Sequence, residues 1–446
     1  MAGESFFSLR TIIIAELAVG SLFGTAQQFN PPRHVSLIEA IQQAQLNEPT
    51  FAAALAAQKS AKIDSYIAKA ALLPSVIYHN QVLYTQPNGQ TNQGGQAGSQ
   101  ASPIFIANNA VHEYTSQATI NETIGLKQLA NAQIAAANSA FALAELEISR
   151  RGLVSAVVSL YYSVATAEEK QKIQEEALNE ARVFKETTQK REAVREVAHA
   201  DVVKAELQMQ QKQRDLADAT VLTSRTRLEL GVLLFPDPRT PYATDPPSTP
   251  RVLPTRDDVD RLASTNNPEI RSALANLNAT SASVRSAKAS YLPDLGLNFT
   301  YGIDAPQFAK RGPEDVKNLG YSISGTLDIP VWDWLTTQKR VKQSEIIRDA
   351  AKVTLTAAQR RLIATLEESY AEAAVARGQL NLLDQSVRTA DESLRLTKLR
   401  YAAGEATALE VVDAQNAYLG AQTSQADGLI RFETALALLQ VLTGSL

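Results

Sequence analysis

The apolar residues of this chain switch between two periods, and they do so twice. In one stretch Leu295, Leu297, Phe299 and Tyr301 alternate with Gly296, Asn298, Thr300 and Gly302. In the next, Leu319, Tyr321, Ile323, Leu327 and Ile329 alternate with Gly320, Ser322, Ser324, Thr326 and Asp328. Successive side chains point to opposite faces of a strand, so strands are predicted over about 294–303 and 318–330. Each has one apolar and one small polar face. A weaker copy lies upstream. Val76, Tyr78, Val82 and Tyr84 share a face interrupted by Asn80, and Tyr114, Ala118 and Ile120 alternate with Thr115, Gln117, Thr119 and Asn121. These predict strands over about 75–85 and 111–123.

After each strand pair the spacing lengthens to three and four. Leu143, Leu146, Leu153, Val157, Leu160 and Val164 form one series; Leu362, Leu366, Ala373, Leu380, Leu383, Val387 and Leu394 form the other. A sustained three-four repeat indicates helices packed on helices. Residues 126–190 contain no proline, which allows a helix of about 100 Å. In the second half the helix turns back within 401–407, where Gly404 suits a left-handed C-cap. The first turn, over 193–198, has Arg195-Glu196 where the repeat would put a glycine, so a different turn shape is open there. Ahead of the strands each half opens with a short helix (36–46 and 256–264) and a second that starts at Pro49 or Pro268. Proline tolerates the first helical turn and stops a helix further on, so Pro74 and Pro293 end these second helices.

The doubling is also visible residue by residue. Asn47-Glu48-Pro49 and Ala-Leu-Leu-Pro74 reappear as Asn266-Asn267-Pro268 and Ser-Tyr-Leu-Pro293, both 219 positions on. Repeats decide the architecture first. The segments read as 1–26, 27–235 (first repeat, with a long helical hairpin over 126–235), 236–254 (linker) and 255–446 (second repeat, hairpin over 335–443). Seven of the 18 prolines fall in 235–254, the composition of an extended connector. In 1–26, Arg10 precedes an apolar run and Gly24-Thr25-Ala26 offers small residues for cleavage, a secretory signal pattern in which Glu16 is a departure.

Composition removes several classes of function. There is no cysteine, hence no disulfide, thiolate metal site or lipidated cysteine. A net charge of −4 provides no footprint for nucleic acid. His34, His79, His112 and His199 are scattered, with no metal-ligand or catalytic spacing, so neither a cofactor nor an enzyme is expected. Outside 1–26 no run approaches the ~20 apolar residues of a spanning helix, so a membrane could be crossed only by strands. The small polar faces suit a water-filled lumen. Both tryptophans, Trp332 and Trp334, follow the last strand on one face by period two, as suits a membrane–water interface; Tyr78, Tyr84 and Tyr301 are candidate anchors of the same kind.

The doubled Asn-x-Pro…Leu-Pro segment resembles the TolC family of outer-membrane channels. So do Tyr321-Ser322-Ile323-Ser324 running into Ile329-Pro330-Val331, and Arg400-Tyr401-Ala402-Ala403-Gly404 followed by Leu409-Glu410-Val411-Val412-Asp413-Ala414. The resemblance implies a mostly α chain with a membrane β-barrel part. A homotrimer would contribute four strands per chain to one 12-stranded barrel in outer-membrane lipid, continued by a coiled-coil tunnel through the periplasm. It implies an exit duct for efflux or type I secretion, joined by a periplasmic adaptor protein to an inner-membrane pump. On this reading Glu410 and Asp413, three apart on one helix face, form an acidic periplasmic gate. The turns with Ala193, Val194 and Arg195 and with Ala403, Gly404 and Glu405 dock the adaptor. The gate is expected to be built mainly by the second repeat. The competing reading from the residues alone is a coiled-coil scaffold of the cell envelope.

Overall fold

The structure, a computed structural model, describes residues 33–84, 112–245, 250–305, 308–312, 315 and 317–446. The signal pattern of 1–26 and residues 85–111, between the first two predicted strands, lie outside the described residues.

The elements come in two matching series. The first is β1 (Arg33–Val35), α1 (Leu37–Asn47), α2 (Pro49–Ala70), β2 (Ser75–Tyr84), β3 (His112–Ile124), α3 (Leu126–Ala193) and α4 (His199–Leu234). The second is β4 (Tyr242–Thr244), α5 (Arg256–Asn266), α6 (Pro268–Ala289), β5 (Asp294–Ala305), β6 (Leu319–Asp328), α7 (Thr336–Ala402) and α8 (Ala408–Thr443). Elements α1 and α5, α2 and α6, and β2 and β5 all begin 219 positions apart. The offset falls to 210 between α3 and α7, because the connection between paired strands is shorter in the second series. Polar caps set the helix starts. The Ser36 and Glu39 side chains and backbones bond reciprocally ahead of α1, and Asn267 accepts from the Ile270 N–H ahead of α6, with Pro268 at the first helical position.

Helices α3 and α7 have 68 and 67 residues. Elements α2, α4, α6 and α8 pack along α3, while α7 packs on α6 and α8. The heptad-like positions Leu153, Val157, Val164, Leu362, Leu366, Ala373 and Leu394 are buried. Leu143 is exposed because it lines a groove between α3 and α6.

The main core sits halfway along α3. There Val154, Val157, Val158, Tyr161 and Tyr162 are buried together with Leu230, Leu234, Ala437 and Val441. Next to them β1 and β4 pair in parallel, Arg33 opposite Tyr242 and Val35 opposite Thr244. The 236–254 connector is therefore more than an extended spacer. Tyr242 and Thr244 are buried, and three residues are too short for alternation to reveal a strand. The Tyr161 hydroxyl donates to the Val35 carbonyl (3.0 Å) and accepts from the Asp245 N–H (2.8 Å), which ties both short strands to α3. Burial pushes this phenol up to about 12, so it remains a neutral donor.

The two hairpin turns are the same turn. The Arg195 N–H donates to the Glu192 carbonyl and the Glu196 N–H to that of Arg191; in the second hairpin Gly404 donates to Tyr401 and Glu405 to Arg400. Arg195 has φ 63° and Gly404 φ 80°, both left-handed. The different shape left open for the first turn is not found: the hydrogen-bond pattern imposes a left-handed residue, and Arg195 adopts it at a cost of roughly 1–2 kcal/mol. Arg195→Gly is expected to stabilise the protein by about 1 kcal/mol, less the added freedom of the unfolded glycine, read as a raised thermal midpoint. A lowered midpoint would mean that the arginine side chain outweighs the backbone term.

Candidate functional site

The strands β2-β3-β5-β6 form one antiparallel sheet in that order. Its registers align complete rows. Val76, Ile120, Phe299 and Ile323 lie in one, and Tyr78, Ala118, Tyr301 and Tyr321 in the next. The apolar row residues are the exposed ones, Tyr321 at 74% and Ile323 at 73%, while Gly296, Asn298 and Thr300 on the other face of β5 are half-buried. A soluble sheet buries its apolar face; this one presents it outward, over the length of 10- to 13-residue strands that match a tilted bilayer crossing. The Asn80 interruption is locally resolved. Asn80 stands opposite Ser116, whose hydroxyl donates to Asn80 Oδ1 (2.8 Å) and pairs with the Tyr78 hydroxyl (2.8 Å).

The candidate interface aromatics separate into two groups. Tyr78 and Tyr301 lie in one row within the strands. Trp332 and Trp334 lie past β6, exposed, their rings 5.8 Å apart edge to face. They are not on an extended strand, since Trp334 and Leu335 are both left-handed, which turns the chain into α7. Tyr84 ends β2, and its side chain is outside the described residues.

At the opposite end the hairpin tips pack on each other. Phe184, Ala205, Tyr401, Ala408, Val411 and Val412 form a small buried cluster. The Arg191 guanidinium lies over the Tyr401 ring (4.9 Å) and donates to the Tyr401 carbonyl (2.5 Å) and to Glu196 (3.0 Å). The Tyr401 hydroxyl pairs with buried Thr188 (3.3 Å), and Lys398 reaches Glu180 (2.9 Å). Arg191 thus holds the second tip against the first. Sequence reading missed it, because one arginine on a charged helix carries no periodic signal. Ala193, Val194, Arg195, Ala403, Gly404 and Glu405 are all exposed at the tips.

Glu410 occupies the third position of α8, and its carboxylate accepts from the Thr407 N–H (3.1 Å) and hydroxyl (3.1 Å), with Arg400 at 3.5 Å. The Thr407 backbone N–H, then its hydroxyl, then the Arg400 charge hold this carboxyl below its ordinary range, so it is ionised at neutral pH. The residue is thereby a helix cap, a role legible in Thr407-x-x-Glu410. Asp413 lies one turn on and is exposed. The first hairpin has Asp201 and Lys204 at the equivalent positions. Among the described residues no cluster of acidic or histidine side chains could hold a metal ion, and no helix is long and apolar enough to cross a membrane.

The comparison with known proteins agrees with this geometry. The profile of the outer membrane efflux protein family matches twice, over residues 40–234 and 261–445. The pyoverdine export outer membrane protein OpmQ of Pseudomonas putida is 30% identical over 182 residues, 40% of this chain and 37% of that protein. The first curated relatives are matched over about a third of their own length. Its counterpart in Pseudomonas aeruginosa is 25% identical over 434 residues, 93% of this chain and 86% of that protein. Among solved structures, the Campylobacter jejuni CmeC outer membrane channel superposes with a TM-score of 0.75 at 16% identity, over 92% of this chain and 85% of that one. Family and fold are those of channels rather than enzymes. With an outward apolar sheet at one end and long helical hairpins at the other, the chain belongs to the outer membrane efflux protein family, a TolC-like protein of the outer membrane that extends into the periplasm.

Proposed function

We propose that this protein is the passive exit duct of a tripartite efflux or type I secretion system, working as a homotrimer with a periplasmic adaptor and an inner-membrane pump. The observation that carries the reading is the union, in one chain, of an outward-apolar sheet with two free edges and helices of about 100 Å that end in two exposed turns. Four strands cannot close a barrel alone, and free edges in lipid leave backbone groups unsatisfied; three chains supply twelve strands and no edge. Each chain is two fused copies of one strand-pair-and-hairpin unit, so a trimer surrounds its axis with six.

The tips at Ala193, Val194 and Arg195 and at Ala403, Gly404 and Glu405 are the adaptor contacts. Trp332 and Trp334 sit at the membrane–water interface of the outer membrane. Ionised Glu410 with exposed Asp413 makes an acidic ring of six carboxylates at the tunnel entrance, and the second repeat supplies it because the first has Lys204 at the position of Asp413. The Arg191–Tyr401 contact, through which the second tip leans on the first, is the contact that opening must break.

Planar-bilayer recording tests the reading. The purified protein is expected to run as a heat-modifiable trimer and to conduct with cation preference. Glu410→Gln with Asp413→Asn is expected to lower that preference several-fold while the trimer persists. Unchanged selectivity would remove the gate role, and recovery as a non-conducting soluble monomer would remove the channel.

A further inference from the structure

The edges of the sheet carry more than a demand for a partner. Strand β2 has β3 on one side only, and β6 has β5 on one side only. Within the chain the two repeats already meet edge to edge through β3 and β5, and that junction is a template for the junction between chains. Correspondence between repeats is set by the pairings. Val76 faces Ile120 and its equivalent Leu295 faces Leu327, so Ile120 of β3 corresponds to Leu327 of β6. In the internal junction Ile120 faces Phe299, Ala118 faces Tyr301 and Asn121 faces Asn298. Moving each β5 residue back by the 219-residue offset gives the corresponding position on β2.

Resting on the trimeric-channel reading, we infer that β6 of one copy pairs antiparallel with β2 of the next in the register that sets Leu327 against Asn80, Gly325 against Val82 and Asp328 against His79. Side-chain chemistry supports this register independently of the symmetry. Asp328 stands directly opposite Asp294 in the β5–β6 ladder, two carboxylates on one face, and no cation bonds to either among the described residues. Like charges directly opposed destabilise a ladder. The register brings an imidazole to the other side of Asp328. It also repeats, at the junction between chains, the polar pair of the internal junction, where the Asn298 amide donates to Asn121 Oδ1 (2.6 Å). A slip by two residues keeps the faces but sets Asp328 against Ile77 or Gln81, neither of which can carry a positive charge. A slip by one would turn the apolar face into the lumen.

The absence of native cysteine makes the test clean. Facing residues of an antiparallel pair have Cα atoms about 4.5–5.5 Å apart, within disulfide range, and residues slipped by two do not. Three double variants are oxidised in outer membranes and resolved without reductant: Val82→Cys with Gly325→Cys, with Ile323→Cys and with Leu327→Cys. The first is expected to give a reducible covalent trimer, in at least tenfold excess over the other two. A covalent trimer through Ile323 or Leu327 instead overturns the register and leaves the channel intact. Heat-modifiable trimers without cross-links in any variant overturn strand pairing at the seam. A soluble monomer in all three, and in the wild type, overturns the channel reading as well. His79→Asp is further expected to lower the dissociation temperature of the trimer, with Asp328→Asn restoring it; no change in either variant removes the charge pairing.

Discussion

Glu433→Ala is expected to lower the unfolding midpoint of the protein more than any other single carboxylate removal. The Glu433 side chain is 0% exposed, and it accepts from the Arg251 N–H (3.1 Å) and from Arg251 Nε (2.7 Å). Arg251 continues to Gln440 Oε1 (3.4 Å) and the Tyr162 hydroxyl (3.3 Å), so one guanidinium joins the inter-repeat connector to α3 and α8. Removing one partner of a buried pair leaves the other charge uncompensated, at a typical cost of about 3–5 kcal/mol. The Arg251 side chain keeps about a third of its exposure, which puts the expected loss near the lower end, about 3 kcal/mol. Thermal unfolding followed by circular dichroism checks it. The paired variant Arg251→Leu with Glu433→Leu is expected to recover most of the loss, because replacing both charges removes the desolvation penalty with the attraction. A double variant as unstable as the single one would mean that the hydrogen bonds, not the stranded charge, carry the effect.

Gly302→Val is expected to abolish trimer assembly. A Cβ on Gly302 would fall inside the backbone of Ser116 and Gln117 on β3, and backbone cannot rotate out of the way as a side chain can. The junction between β3 and β5 is the only ladder joining the two strand pairs of the chain among the described residues. Overpacking of this kind costs about 1–3 kcal/mol where side chains can yield, and more where only backbone can move. The control is Gly320→Val. Gly320 faces Gly302 across the β5–β6 ladder, yet a Cβ there meets nothing. Heat-modifiable trimers are expected to vanish in the first variant and persist in the second. Equal loss in both would assign the effect to strand propensity and not to close approach.

The strands and long helices were legible because each has a periodic face that is wide and long. The bounds read from alternation differ by one or two residues from those observed, as at Asp294–Ala305 and Leu319–Asp328. Features made by single residues meeting across distant parts of the chain were not legible. Nothing near Arg251 in sequence announces Glu433, and nothing near Arg191 announces Tyr401. Strands β1 and β4 are too short to show a period, and each is stable only because the other exists. The turn at Arg195 misled for another reason: the residue type argued against a left-handed position that the hydrogen-bond pattern of the turn imposes. Glu410 was read only as an acid on an acidic face; the structure gives its carboxylate to Thr407, as the N3 residue of a capping box.

The parallel bridge between Arg33–Val35 and Tyr242–Thr244 closes a loop of about two hundred residues. Such a contact cannot form until the connector has been synthesised and has come to rest on α3, so it completes late. The whole first repeat lies inside the loop. Its beginning is therefore fastened by the segment that introduces the second repeat, and the first copy, although it has its own strands and hairpin, does not have its own ending. A fragment cut between the repeats would lose the strand that closes the first one, so the duplicated halves have become a single folding unit.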